Sequence, residues 1–190
     1  MIKKFKELTS VVAFDDGAFI SKTKGTVLLV GVVSRLDNRI EGIVSTSVEI
    51  DGLDSTKKIV KLLKKSKFLP QISLIFLQGT NFAGFNLVDL QQLNEKLGLP
   101  VVVVFKKKPD MKKIKIALEN FSDYKKRVKL FENYPEIHKQ DSLYFQFIGI
   151  DKATVVRIIK KCCLHSTMPE PIRLAHLIAS GVSRGESTRP

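Results

Sequence analysis

Three runs in the first third of the chain carry apolar residues in patterns that suit an extended backbone. Ser10–Asp16 (SVVAFDD) and Thr26–Arg35 (TVLLVGVVSR) are apolar over most of their length. Arg39–Ile50 (RIEGIVSTSVEI) alternates apolar with polar residues, the mark of a strand with one face toward solvent. The links are short and turn-like, KTKG after the first run and LDN between the second and third. A parallel pair needs a crossover of about a dozen residues or more, so these strands are expected to be antiparallel neighbours.

From Leu53 the spacing changes. LDSTKKIVKLLKKSKF sets Ile59, Val60, Leu62 and Leu63 on one helical stripe, with Asp54 or Ser55 as N-cap. Ile72–Gly79 (ISLIFLQG) is a continuous apolar run, as in a strand covered on both faces. A helix is expected over Asn86–Gly98, capped by Asn86 and stopped by Gly98 and Pro100, followed by a second buried strand, PVVVVF. DMKKIKIALENF and DYKKRVKLFEN form one broken helical stretch. Leu143–Ile150 reads as a late strand, Asp151–Leu164 and Pro171–Arg184 as helices, and the tail RGESTRP as loose. This order predicts one α/β domain over residues 1–190 with a ribonuclease H-like mixed sheet. Three antiparallel strands precede the parallel ones, helices cover both faces, and extra helices close the chain. A Rossmann or flavodoxin-like sheet would begin with βαβ units, and neither a G-x-G-x-x-G nor a P-loop stretch occurs.

Charge adds a partner. The 32 Lys and Arg outnumber the 19 Asp and Glu, giving a net charge of +13 and a pI near 9.8. Such an excess points to a polyanion, most simply nucleic acid, with a generally basic surface as the plainer alternative. Lys57, Lys58, Lys61, Lys64, Lys65 and Lys67 crowd one helix. Lys106–Lys108, Lys112, Lys113, Lys115, Lys125, Lys126, Arg127 and Lys129 continue the run. The two cysteines, Cys162 and Cys163, are adjacent on a helix and so poorly placed for a disulfide or a zinc site. The first residues lack the apolar stretch of a signal peptide, and VLLVGVV and VVVVF are too short to span a bilayer; the expectation is a cytoplasmic protein.

Candidate chemistry lies where strands end. Phosphodiester cleavage by hard divalent cations needs carboxylates that converge in space, not in sequence. Asp15 and Asp16, before Gly17, end an apolar strand; they offer a cation ligand or a plain Asp-Gly turn, and since consecutive strand residues point to opposite faces, one of the two is expected to reach a site. Glu49, Asp51 and Asp54 follow the third strand, where turn and cap roles compete with metal duty. At the end of Ile72–Gly79 stands Gln78. In TNFAGFN, Phe82 and Phe85 are candidates to stack on an extruded base, or else belong to the core. Glu170, Arg173 and His176 could line one end of the last helix near the acids, or form a cap and a surface salt bridge. His138 and His165 have no ligand spacing.

The blocks AFDDGAF, VLLVGVVSR, VEIDGLDST, LQGTNFAGFNLVDL, LGLPVVVV and MPEPIRLAHLIASGVSRGES together resemble an archaeal family related to endonuclease V, the endonuclease dU family, from Phe14 to Ser187. The resemblance implies a ribonuclease H-like fold, Mg²⁺ or Mn²⁺, and cleavage of DNA at deoxyuridine. It puts Asp15 in the place of the strand-one aspartate, with Asp16 as alternative, and the second acid within Asp51–Asp54. A fourth carboxylate from a late helix, usual in this fold, falls to Glu170. Lys57 and Lys61 are expected on the DNA backbone, and Arg173 and His176 near the substrate. Gln78 stands where related proteins have aspartate, as a neutral and weaker metal ligand. Either Asp54 or Glu170 completes the site, or the chain binds nucleic acid without cleaving it. The wedge motif of endonuclease V is missing, so recognition of the same lesion is not implied.

Overall fold

The computed structural model describes residues 9–21, 23–164 and 166–189. The expected absence of a leader rests largely on residues 1–8, which lie outside the described residues, as does His165. Strands β1 (Ser10–Asp16), β2 (Thr26–Arg35) and β3 (Ile40–Glu49) precede helix α1 (Ser55–Lys65). Then come β4 (Ile72–Gln78), a short hairpin of β5 (Asn81–Phe82) and β6 (Asn86–Leu87), α2 (Leu90–Leu97) and β7 (Val101–Phe105). Helices α3 (Met111–Leu118) and α4 (Tyr124–Glu132), strands β8 (His138–Gln140) and β9 (Leu143–Ile148), and helices α5 (Lys152–Cys162) and α6 (Glu170–Arg184) complete the order.

Seven strands form one sheet in the order β3-β2-β1-β4-β7-β9-β8. The first three are antiparallel, β4 and β7 run parallel to β1, and β9 and β8 extend the far edge antiparallel. This is the mixed sheet expected from the sequence. The parallel strands are covered on both faces, which is why they read as unbroken apolar runs. Along β1, Val12 and Phe14 pack toward Ile59 and Leu63 of α1 and Leu90 and Leu93 of α2. Val11 and Ala13, on the other face, pack toward Ile158 and Ile159 of α5 and Ile172 of α6. Ala175 and Ala179 bring α6 onto Val30 and Val32 of β2. No helix among the described residues is long and apolar enough to cross a membrane.

The structure departs from the sequence expectation between Thr80 and Asp89. The helix begins only at Leu90, where the Asp89 carboxylate accepts from Gln92 N at 2.8 Å. Asn86 is not a cap. It is fully buried, accepts from Ser55 N at 3.0 Å and donates to Glu49 O at 2.8 Å and to an Asp54 carboxylate oxygen at 2.6 Å. One amide thus ties three backbone segments together, a stronger use of its donors and acceptor than a single helix end. The β5–β6 reversal passes through Ala83 and Gly84 at φ 45° and 85°. A non-glycine residue in that region is strained and persists only where its surroundings hold it. Ala83 N donates to Asp16 Oδ2 at 2.6 Å, Ala83 O accepts from Asp51 N at 2.8 Å, and Phe85 N donates to Asp51 Oδ1 at 2.8 Å.

Arg127 also leaves the place expected for it. It does not belong to the positive surface: only 4% exposed, it reaches from α4 to the carbonyls of Asp51, Gly52 and Phe85, and pairs with Asp123 at 2.5 Å. Lys115 is likewise engaged, with Glu132 at 2.6 Å, joining α3 to α4. After α6 the chain turns at Gly185 (φ 84°) and returns, so that Thr188 N donates to Ser180 Oγ at 3.2 Å.

Candidate active site

Strand β1 delivers two acids to its C-terminal end, and the alternation of a strand sends them to different faces. Asp15 points to the α6 side and Asp16 to the side of the β5–β6 turn. Both border a cleft of about 330 Å³ that also contains Phe19, Gln78, His176 and Arg184. Gln78 reaches it because β4 lies next to β1 and parallel to it, so the two strands end on the same edge of the sheet. Helix α6 is fixed over the cleft by its approach to the loop after β1. Ala18 N donates to Ser183 Oγ at 2.8 Å, and a Cβ at position 17 would meet that same oxygen at 3.0 Å, so Gly17 permits the contact.

This docking sets His176 against Asp15, with Nδ1 2.7 Å from Oδ2. An ionised carboxylate only accepts, so in that state Nδ1 carries the proton; in the neutral ring Nε2 then accepts from the Thr188 hydroxyl, 3.0 Å away. Burial pushes the Asp15 carboxyl above the ordinary carboxylate range even though His176 opposes the shift. Asp16 is pushed up to about 6, chiefly by burial and further by the nearby Asp15 charge, against the hydrogen bond from Ala83 N. The charge of each acid is therefore undercompensated by the surrounding protein. Gln78 lines the same cleft, and its side-chain amide oxygen is buried without a hydrogen-bond partner.

The remaining sequence candidates sit elsewhere. Asp51 binds the hairpin through Phe85 N and lines a second cavity. Asp54 accepts through Oδ1 from Glu49 N at 3.1 Å and from Asn86, its Oδ2 is buried without a hydrogen-bond partner, and it is not among the residues lining the cleft. Glu170 is likewise outside the cleft, bound by Arg173 at 2.7 and 2.5 Å across the first turn of α6, which occupies both side chains. Phe82 is core, 1% exposed. Phe85 is half-buried and lies edge-on to Phe121 at 5.6 Å. Lys57 and Lys61 are exposed on α1, and Lys61 joins Lys58, Lys65 and Thr46 around a shallow basic groove. Five cleft residues had no role expected from the sequence: Ala18 and Phe19 in the loop after β1, and Ser180, Arg184 and Thr188. Two of them follow His176 at steps of four on α6, a spacing that puts them on its face.

Among the described residues no three His, Cys, Asp or Glu side chains stand together as a metal site. The cleft instead offers two carboxylates, one partnerless amide oxygen and one imidazole. Oxygen donors of this kind suit Mg²⁺ or Mn²⁺, and an orphaned buried carbonyl is the kind of group a hard cation satisfies. By donor type, two carboxylates and an amide oxygen, the residues lining the cleft are compatible with such an ion.

The endonuclease dU family model matches residues 7–183. A UPF0215 protein of Methanothermobacter thermautotrophicus is 41% identical over 189 residues, covering 97% of this chain and 93% of its own. A crystal structure from Archaeoglobus fulgidus, 36% identical, aligns with a TM-score of 0.86 over 93% of this chain and 99% of that one. Ciona intestinalis endonuclease V, solved with a 24mer DNA containing an inosine followed by a ribo-adenosine, aligns with a TM-score of 0.61 over 93% of this chain and 85% of that one. At 16% identity the last likeness is one of fold, and it agrees with the ribonuclease H-like order of elements. By sequence along nearly its whole length, this chain belongs to the endonuclease dU family.

Proposed function

We propose that the protein is an endonuclease that cleaves DNA at a deaminated base, deoxyuridine first among them, with Mg²⁺ or Mn²⁺ held by Asp15, Asp16 and the Gln78 carbonyl oxygen. The observation that carries this reading is the buried, partnerless oxygen of Gln78, which lines one cleft with two carboxylates pushed upward by burial. An unsatisfied buried polar group costs about 1–3 kcal/mol, and paired acids cost more. A bound cation would relieve both. When present it supplies charge neutralisation at the phosphate and an activated water.

The chain's own residues do the rest. His176 holds Asp15 in one orientation by its 2.7 Å contact. Arg184, at the open side of the same cleft, carries the guanidinium suited to a phosphate's non-bridging oxygens. The exposed lysines of α1 hold the DNA backbone by charge, so binding weakens steeply with salt. A DNA partner is supported by the +13 net charge and by the DNA-bound form of the Ciona relative. The two free cysteines suit a cytoplasmic setting.

A second reading has its own observation. Gln78 is neutral, and no trio of charged or imidazole ligands is assembled among the described residues; the chain would then bind nucleic acid without cutting it. A nicking assay on end-labelled DNA with one deoxyuridine, in Mg²⁺, Mn²⁺ or EDTA, compares the natural chain with Gln78→Asp. The expected result is metal-dependent nicking by the natural chain, changed in rate by roughly tenfold or more in the variant. Nicking by Gln78→Asp alone would establish the binding-only reading for the natural chain. Silence from both would remove the deoxyuridine assignment.

A further inference from the structure

We infer that the large cavity beside the acid cleft receives one unstacked nucleobase of the bound strand, an inference that rests on the nuclease reading above. The cavity measures about 680 Å³ and is walled by the rings of Phe19, Phe85 and Phe121 with Ala117, while Asn120 and Asp51 supply polar groups. Phe19 lines this cavity and the acid cleft alike, so the two spaces adjoin across a single side chain. A mostly apolar wall with a few polar groups, within the roughly 300–1,000 Å³ of ordinary ligand sites, is how proteins bind flat organic molecules.

The walls are built rather than incidental. Phe85 meets Phe121 edge-on at 5.6 Å, and the Arg127 guanidinium carbon lies 4.2 Å from the Phe121 centroid. Phe85 is held on both sides of its backbone: its N–H donates to Asp51 Oδ1 at 2.8 Å, and its carbonyl accepts from Arg127 Nη1 at 2.7 Å. Gly84 keeps the hairpin tight against Asp51, because a Cβ there would come within 2.3 Å of Asp51 Oδ1. Two aromatic faces are thus fixed before any ligand arrives, and the third, Phe19, is 37% exposed at the boundary with the cleft.

The occupant follows from what adjoins the cavity. An aliphatic chain would fill the apolar wall, but on the nuclease reading the neighbouring cleft takes a phosphodiester, and the protein carries a +13 charge. A base attached to the strand whose phosphate lies at Asp15 and Asp16 has the right tether. Its faces stack on the phenyl rings, and its edge finds a donor and an acceptor on Asn120 and an acceptor on Asp51. Of these residues, Phe19, Phe121 and Asn120 had no role in the sequence reading. Asn120 and Phe121 are neighbours in the turn after α3, far along the chain from Phe19, and meet it at the cavity because that turn and the loop after β1 flank the β5–β6 hairpin.

The test is photocrosslinking of the natural chain, in EDTA, to a single strand carrying one 5-iododeoxyuridine, with binding followed separately by fluorescence anisotropy. Crosslinks mapped by mass spectrometry are expected at Phe19, Phe85 or Phe121. Phe19→Ala, at an exposed loop position, is expected to bind the strand roughly tenfold more weakly and to lose most of the crosslink, with its fold checked by circular dichroism. Phe19→Tyr should restore both. Crosslinks confined to the lysines of α1, with binding intact in Phe19→Ala, would overturn the cavity assignment and leave the nuclease reading standing. A strand that does not bind at all would sink both.

Discussion

Asp16→Asn protein is expected to nick deoxyuridine DNA about a thousandfold more slowly than the natural chain, and to be more stable at neutral pH. The first effect follows from removing one of two carboxylates that hold the ion: about 4 kcal/mol of transition-state stabilisation corresponds to three orders of magnitude. The second follows from linkage. The folded Asp16 carboxyl is raised to about 6 from its ordinary 3.8, mainly by burial. Between those values the folded protein holds a proton that the unfolded chain has released, so stability falls as pH rises. The penalty is absent below the unfolded value and complete above pH 6, where it amounts to roughly 3 kcal/mol. Asparagine keeps an oxygen for Ala83 N and removes the charge. Its advantage should therefore grow with pH through that window and level off above it, as read by urea unfolding at several pH values without divalent ions. A variant that loses activity and stability together at neutral pH would mean that Asp16 is a structural hydrogen-bonding group only.

Arg127→Met is expected to lose about 3–5 kcal/mol of folding stability, enough to unfold a marginal domain at moderate temperature. The guanidinium is buried and serves the carbonyls of Asp51, Gly52 and Phe85 together with the Asp123 carboxylate. Methionine fills a similar volume but supplies no donor, leaving these acceptors in a space that water cannot readily enter. Lysine should not rescue, since one ammonium cannot reproduce the planar fork that spans the Asp51–Gly52 turn and the Phe85 loop. Denaturant unfolding of the three proteins checks this. A loss below about 1 kcal/mol in Arg127→Met would show that the turn is held by other contacts.

What was legible in the sequence was what local pattern controls. The apolar runs of β1, β2, β4 and β7 announce buried strands because both faces of those strands are covered, and the short links announce hairpins. Asp15 and Asp16 stood out as acids ending an apolar strand, and Gln78 by the end of a neighbouring one. Long-range pairing was not legible. His176 meets Asp15 across 161 residues, and no spacing encodes that contact. Arg127 sits among lysines and reads as surface, while its burial depends on three carbonyls from distant turns. Asn86 looks like a cap because asparagine commonly is one, yet a closed pocket of partners wins it away from the helix. Glu170 and Arg173, three apart, found each other across one helical turn instead of reaching the acids. Strand β8 is three residues long and polar, too brief for any periodicity to show.

The central claim is that Asp15, Asp16 and Gln78 form a cation site. Calorimetric titration of the natural chain with Mn²⁺, without DNA, tests it directly, with Asp16→Asn as the comparison. One saturable site is expected at neutral pH, absent in Asp16→Asn. Its affinity should fall as pH drops below about 6, because the ion must then displace a proton from Asp16. No saturable binding at neutral pH, or equal binding by Asp16→Asn, would contradict the account and leave the cleft as a buried acid pair without an ion.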